Sequence, residues 1–521
     1  MSFLSSLFDG FRRPESEGAV ADGEGRLSRA EMAWLVVTVL VARVLAARAF
    51  PIYDDAFITY RYARNFASGL GMVFNPGAAW EPVLGTTTPG YTALLAALTW
   101  TGLPMIATSL AINFLCDAGS AWLLIRMFDR RRVSSLAAVL AFAAIPEIAR
   151  VSAGGMEPPL VVATSLAAVF LFQRGRMVAS GMASAFACTL RPECVLLVLV
   201  LAVLCVVQRR SLLAYTIPIA IVGVVTAGTL QWFYGSPISH SVMAKAAVHG
   251  GEQKPGFSRV PDILAQALGP SQPMRLFSVV VAIGGVAMLL RRSRLAPFGL
   301  FAAGIVCAYL IVQPKTWGWY FYAPLFAWTA ALGLGFEQIA RWIGFARLGL
   351  DRPAVMRAAV VAGPLFVLAA VSAFPMLRED RITPRIYRQF ESWAAEERLA
   401  ERGVTISASD IGALGWYTNA RILDSEGLVW PEALELTRTV DQIEKYLPDY
   451  VVLVVRKSRL KPFLVDSPAL AARYRPVRRF NEFSPAGSDK LTPSIAELPD
   501  WWEQDYLIFE RIDPPTSAGG K

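Results

Sequence analysis

The sequence predicts a polytopic α-helical membrane protein with a C-terminal α/β domain outside the bilayer. Three observations lead there. The chain has 521 residues, 55% of them hydrophobic, and a mean hydropathy of +0.44. A soluble chain of that length would have about half its residues apolar and would divide into several domains. The apolar residues fall in long runs, many close to the roughly 20 residues that cross a bilayer. Arginine clusters then mark alternate run boundaries, as positive-inside loops do.

Charge and cysteine usage narrow the class. The formal net charge is +9. Residues 377–521 hold 20 Lys and Arg against 23 Asp and Glu, so they are acidic by 3. Residues 1–376 hold 30 against 18 and are basic by 12. The excess belongs to the apolar part, which argues against a nucleic-acid-binding domain with its cations on one soluble face. The five cysteines, Cys116, Cys188, Cys194, Cys205 and Cys307, lie in or beside apolar runs. They imply neither a disulfide framework nor a metal-binding CxxC pair.

Residues 1–31 mix both charge signs with glycine and read as a cytosolic tail rather than a signal peptide. Residues 32–376 form the membrane module. Spans are expected near 32–50, 105–127, 133–149, 159–173, 177–190, 192–207, 212–233, 274–290, 296–313, 321–340 and 358–376, about eleven in all. Arg12, Arg13, Arg26 and Arg29 precede the first, and Arg130, Arg131 and Arg132 follow the second. Later clusters at Arg174 and Arg176, Arg209 and Arg210, Arg291 to Arg294, and Arg341 to Arg357 keep the alternation. An N-in topology places all of them in the cytosol. The apolar run 89–103 is too short to span and reads as a re-entrant or interfacial helix on the outer face.

Outside the bilayer this topology leaves a first loop, 51–104, a short one near 150–158, a second long loop, 234–273, and the region 377–521. The lysines of the membrane part, Lys245, Lys254 and Lys315, all fall on this outer side. Cations there suit an anionic ligand. In the C-terminal region, 385–402 has helical periodicity, and Val- and Ile-rich runs at 404–408, 450–455 and 506–511 read as strands.

The first loop opens with Tyr53-Asp54-Asp55-Ala56-Phe57-Ile58-Thr59-Tyr60-Arg61-Tyr62-Ala63-Arg64-Asn65. Adjacent carboxylates at a bilayer surface are costly unless paired or used. Arg61 and Arg64 would share one face of a helix. Spacing alone leaves two readings open: an acid–base site at the mouth of a bundle, or a helix-capping Asp pair with arginines reaching for headgroups.

Together with Gly69-Leu70-Gly71-Met72-Val73-Phe74-Asn75-Pro76-Gly77 and Glu81-Pro82-Val83-Leu84-Gly85-Thr86-Thr87-Thr88-Pro89, this stretch resembles the first outer loop of GT-C glycosyltransferases. Those enzymes use polyprenyl-phosphate-linked sugars. Weaker patches recur at Gly155-Met156-Glu157-Pro158, Arg191-Pro192-Glu193, Ser236-Pro237 to Lys245 and Ser409-Asp410-Ile411-Gly412. The nearest resemblance is to actinobacterial terminal arabinofuranosyltransferases. It implies decaprenyl-phosphoryl-arabinose as donor, a cell-envelope arabinan as acceptor, a plasma-membrane location, and a catalytic base at Asp54 or Asp55, with Asp55 favoured.

The chemistry so implied needs a carboxylate to take the acceptor hydroxyl's proton. Single displacement with inversion needs one such group. The leaving phosphate needs cations, for which Arg61, Arg64, Lys245 and Lys315 are candidates. The run Lys315-Thr316-Trp317-Gly318-Trp319-Tyr320 reads either as an interfacial aromatic belt or as a sugar-stacking wall. Glu81 and His240 complete the candidate substrate contacts, and Glu193 is expected to pair with Arg191. His240 and His249 are the chain's two histidines and lack a third ligand, so no zinc site is expected. No cofactor is required on this reading, although a divalent cation at Asp54 and Asp55 stays open. Two other classes remain: a transporter or flippase for lipid-linked sugars, and a non-catalytic scaffold whose C-terminal domain binds polymer. The lack of an internal repeat weakens the first.

Overall fold

The computed structural model describes residues 26–249, 277–290, 293–312, 314, 316–345, 347–349, 352–373, 384–436, 438–454, 467, 470, 472–480 and 506–512. A helix stands at each position where a span was expected. In order, the helices of the membrane module are α1 (Arg29–Ala46), α2 (Asp54–Ala67), α3 (Pro89–Trp100), α4 (Met105–Met127), α5 (Arg132–Ala144), α6 (Pro146–Ala153), α7 (Pro158–Gln173), α8 (Met177–Leu190), α9 (Val195–Val207), α10 (Leu212–Tyr234), α11 (His240–His249), α12 (Ser278–Leu290), α13 (Ala296–Val312), α14 (Tyr322–Ile343) and α15 (Pro353–Ser372). Among the described residues, α4, α10 and α15 are each long and apolar enough to cross a membrane, and the bent pair α5–α6 is a fourth candidate. α7, α8, α9, α12 and α13 are apolar but shorter. The first-loop motif is helical, as α2, and the 89–103 run forms α3.

The run read as one span at 133–149 is two helices bent by 60°. The cause is local. Pro146 has no N–H, so the Phe142 carbonyl four residues earlier loses its helical partner. Ile145, before the proline, takes an extended conformation at φ −69° and ψ 118°. Arg43 of α1 fills the gap. Its guanidinium donates to the Phe142 carbonyl at 2.7 Å and the Ala143 carbonyl at 3.2 Å, and its Nε meets Asp117 of α4 at 2.5 Å. Tyr322 and Ser152 donate to the same carboxylate at 2.5 and 2.6 Å. A buried charge is tolerated when it is paired and hydrogen-bonded this fully.

The C-terminal region adds α16 (Pro384–Glu396), α17 (Leu399–Arg402), β1 (Thr405–Ala408), α18 (Gly412–Thr418), β2 (Arg421–Asp424), α19 (Thr439–Tyr446), β3 (Tyr450–Val454), β4 (Tyr474–Phe480) and β5 (Tyr506–Arg511). The sheet order is β2-β1-β3-β5-β4, parallel at β2-β1-β3 and antiparallel through β5. Strand alternation sorts its two faces. Val451, Leu453, Leu507 and Phe509 pack with Val440 and Ile443 of α19. Tyr450, Val452, Val454 and Ile508 face Phe390 and Trp393 of α16, in a core continuous with that of the helical bundle. The loop after β1 therefore emerges against the bundle, at the carboxyl end of the parallel strands, where α/β sheets commonly place their sites.

Candidate active site

α2 begins at Asp54, directly after Tyr53, whose N–H donates to the Gly154 carbonyl at 3.0 Å. The two carboxylates of the motif then part company. Asp54 accepts the backbone N–H groups of Gly412 at 2.9 Å and Ala413 at 2.8 Å, at the start of α18. Its side chain thereby pins the C-terminal region to the bundle. Burial pushes the Asp54 carboxyl up to about 7, and the nearby Asp410 carboxylate adds to the rise, against the two N–H bonds. Asp55 has no hydrogen-bond or ion-pair partner among the described residues.

Gly412 makes the close approach. A Cβ there would stand 1.9 Å from the Asp54 carbonyl oxygen, and one at Gly415 would stand 2.5 Å from Arg61. The glycines of this stretch suit close backbone approach, and the approach is to α2. Asp410, two residues before Gly412, accepts the Tyr506 hydroxyl at 3.0 Å. Tyr387 donates to the Ile52 carbonyl at 2.9 Å and stacks on Tyr417 at 6.0 Å.

The candidate phosphate cations separate into two groups. Arg61 is buried under Phe74, 4.4 Å from its ring, and donates to the Gly415 and Ala420 carbonyls at 2.7 Å each. Arg64 lies 4.3 Å over Trp416 and reaches the Trp416 carbonyl at 3.2 Å and Asn419 at 3.1 Å. Both arginines fasten α2 to the loop around α18. The two terminal nitrogens of Arg61, expected at a phosphate, are occupied here by backbone carbonyls and Asn75. Trp416 and Tyr417 are taken up in the same packing. Lys245 differs. Its ammonium sits 4.9 Å over the Trp317 ring, and Trp317 stacks on Trp319 at 5.7 Å with planes 7° apart. Trp319 in turn meets Tyr53 at 4.9 Å. A row of rings thus runs from Lys245 to the residue before the acidic pair. Lys315 lies outside the described residues, as does Lys254.

Tyr320 flanks the row, 5.9 Å from Trp317 and 6.3 Å from Trp319, under Arg191, which lies 4.7 Å over its ring. Arg191 is paired with Glu157 at 2.8 Å and with Glu193 at 2.9 Å, the expected structural pairing. Glu81 and His240 sit together elsewhere, around the turn at 81–85. The Glu81 carboxylate accepts the Val83 and Asn75 N–H groups at 2.8 and 3.2 Å, and burial pushes it up to about 7. The His240 backbone N–H donates to the Leu84 carbonyl at 2.8 Å, and burial lowers its imidazole. Neither side chain is in the aromatic row. Among the described residues, no group of three or more His, Cys, Asp or Glu could hold a metal ion.

Sequence reasoning gave no separate role to Tyr53, Asp410 or Tyr387. Tyr53 and Asp410 each stand inside a motif it had singled out, so a signal was present. Tyr387 had none, being one aromatic on an amphipathic helix.

Residues 377–502 match a family described as a domain of unknown function, DUF8728. No curated protein matches the sequence. Two solved structures share the architecture of the chain. The crystal structure of ArnT from Cupriavidus metallidurans in the apo state aligns with a TM-score of 0.55 and 15% identity, over 92% of this chain and 98% of that one. The ArnT structure from the same organism bound to undecaprenyl phosphate gives 0.56 and 14%, over 94% and 99%. The chain therefore has the helical membrane fold of ArnT.

Proposed function

We propose that the protein is an inverting membrane glycosyltransferase. It moves a sugar from a polyprenyl-phosphate donor to a hydroxyl of a cell-envelope glycan, on the outer face of the plasma membrane. The carrying observation is the Asp55 carboxylate, which has no hydrogen-bond or ion-pair partner among the described residues and lies two residues after Tyr53, where the Lys245–Trp317–Trp319–Tyr53 row ends. The shared fold with a protein crystallised with undecaprenyl phosphate supports a lipid-phosphate donor.

In this reading Asp55 takes the proton of the acceptor hydroxyl as its oxygen bonds to the anomeric carbon. The bond from that carbon to the phosphate oxygen breaks, and the polyprenyl phosphate leaves with the electron pair. Lys245 and Lys315 receive the developing charge. The rings of Trp317, Trp319 and Tyr320 form the wall along which donor and sugar lie. Asp54 organises the site by holding α18 and is a poor base, since both its oxygens already accept N–H bonds. No metal is needed, because one free carboxylate is a sparse ligand set for a hard cation. From the resemblance in the first loop we take the sugar to be arabinofuranose, the carrier decaprenyl phosphate and the acceptor an arabinan. The topology is N-in with about eleven spans and the C-terminal domain outside.

One assay tests the reading. Membranes containing the protein are given decaprenyl-phosphoryl-arabinose and an arabinan acceptor in the presence of a chelator. Wild type is expected to transfer arabinose. Asp55→Asn is expected to lose about 10²- to 10⁴-fold in rate while still binding the donor. Full activity in the Asp55 variant would overturn the catalytic assignment. No transfer of arabinose, with transfer once a different polyprenyl-phosphate sugar is supplied, would overturn the donor alone.

A further inference from the structure

At the end of α1 remote from Asp55, the ends of α1, α4, α7 and α13 converge on a cavity of about 460 Å³. α1 is about 27 Å long at 1.5 Å per residue, so the two sites lie a full helix apart. Six arginines line the cavity: Arg26, Arg29, Arg126, Arg130, Arg174 and Arg294. Its lining holds one carboxylate, Asp129, which is paired with Arg294. Just outside it the arginines are neutralised. Arg131 meets Glu337 at 3.1 Å and Arg132 meets Glu31 at 3.0 Å. The other five lining arginines have no ion-pair partner among the described residues.

The wall is built. The Leu27 N–H donates to the Arg130 carbonyl at 2.8 Å, and Asp129 and Arg130 both adopt left-handed backbone, at φ 54° and 60°. Two consecutive non-glycine residues in that region carry a conformational cost. An arginine that only marks orientation needs to lie on one side of the membrane. Several around one cavity repel one another unless an anion sits between them.

Two rings beside the cavity, outside its lining, point to the kind of anion. Arg126 lies 5.7 Å over Trp122 and Arg174 lies 5.0 Å over Phe170. Those two rings meet at 6.3 Å, between α4 and α7, and Trp122 is exposed. Guanidiniums above an exposed Trp122 and a half-buried Phe170 match a ligand with a phosphate head and an apolar tail. We propose that this cavity binds the headgroup of an anionic, phosphate-bearing lipid in the leaflet at this end of the bundle, with a chain against Trp122 and Phe170.

The test uses the full chain, so that residues 1–25, with their five carboxylates, compete as they do in the protein. Purified protein in neutral detergent is titrated with cardiolipin, with phosphatidylcholine and with inorganic pyrophosphate. Bound adducts are counted by native mass spectrometry and Tm is followed. Cardiolipin is expected to bind and to raise Tm, and phosphatidylcholine to do neither. The combined variant Arg126→Lys, Arg174→Lys, Arg294→Lys keeps the charge that sets topology but loses the phosphate-matching fork, and should weaken cardiolipin about tenfold. Trp122→Ala should weaken cardiolipin and leave pyrophosphate unchanged. Arg352→Lys with Arg357→Lys, away from the cavity, should change nothing. Equal binding of phosphatidylcholine, or unchanged cardiolipin affinity in the triple variant, overturns the site. Pyrophosphate matching cardiolipin overturns the lipid in favour of a soluble phosphate. Asp55→Asn should leave cardiolipin binding intact, so this inference and the catalytic one fail separately.

Discussion

Asp54 and Asp55 are neighbours in one motif and stand in opposite surroundings. The difference comes from what each carboxylate meets. Asp54 turns to the C-terminal region and accepts two N–H groups from α18. Asp55 meets no partner among the described residues and remains available to a ligand. A consequence of Asp54's enclosure is a pH dependence of stability. Its carboxyl is pushed from an ordinary 3.8 to about 7. Between about pH 4 and pH 7 the folded protein therefore holds a proton that the unfolded chain has released, and folding stability declines as pH rises through that window. Above 7 the decline from this group is complete. Asp54→Asn removes that share, although it also surrenders one N–H bond. Unfolding midpoints of both proteins between pH 4 and 8 check this. The variant's Tm relative to wild type should climb from pH 4 to about 7 and then level off. A difference flat in pH would show that Asp54 is not held protonated. Glu81 and Asp424, also pushed up to about 7, keep a residual slope in both proteins.

Among the elements, the helices were legible in the sequence because a span advertises itself by bare apolar length. What periodicity could not show was the division at Pro146. The apolar pattern runs straight through it, and a proline in a helix can kink or continue. Arg43, about one hundred residues away in sequence, supplies donors to the two carbonyls that the break leaves open. Strands were legible where burial is two-sided, as at β3, in which all five residues are buried. β4 escaped because it carries Pro476 and three arginines at the sheet edge, a composition that protects edges and hides strands. β2 escaped because its four residues include one charge at each end. The role of Arg43 can be measured. Arg43→Met strands the Asp117 charge and two carbonyls, and should cost about 3–5 kcal/mol. Pro146→Ala restores an N–H for the Phe142 carbonyl. It should recover about 1 kcal/mol in the Arg43→Met background and gain less in wild type, where that carbonyl is already satisfied. Thermal unfolding of the four proteins in detergent gives the coupling. An equal effect of Pro146→Ala in both backgrounds would mean that Arg43 does not compensate for the break.

At the scale of the whole molecule the two charged ends of the bundle differ in kind. One end carries the acidic pair, Lys245 and the aromatic row, with α18 docked on α2 through Asp54, Arg61 and Arg64. The other carries arginines around a cavity. Among the described residues, six arginines gather around the cavity at one end, and Lys245 stands in the aromatic row at the other. If this asymmetry reports orientation, the ends must face different compartments. Ser68 is exposed just after α2, at the acidic end, and Ser211 is exposed between α9 and α10, in the loop with Arg209 and Arg210. In a background without the five native cysteines, Ser68→Cys should react with a membrane-impermeant maleimide added to intact cells. Ser211→Cys should react only after the membrane is opened. The reverse pattern would place the acidic pair in the cytosol, where a donor presented in the outer leaflet could not reach it. Labelling of both in intact cells would mean that the helices between them do not separate two compartments. The N-in arrangement has to survive this measurement before activity is interpreted, because the catalytic reading and the lipid reading each assign a ligand to one leaflet.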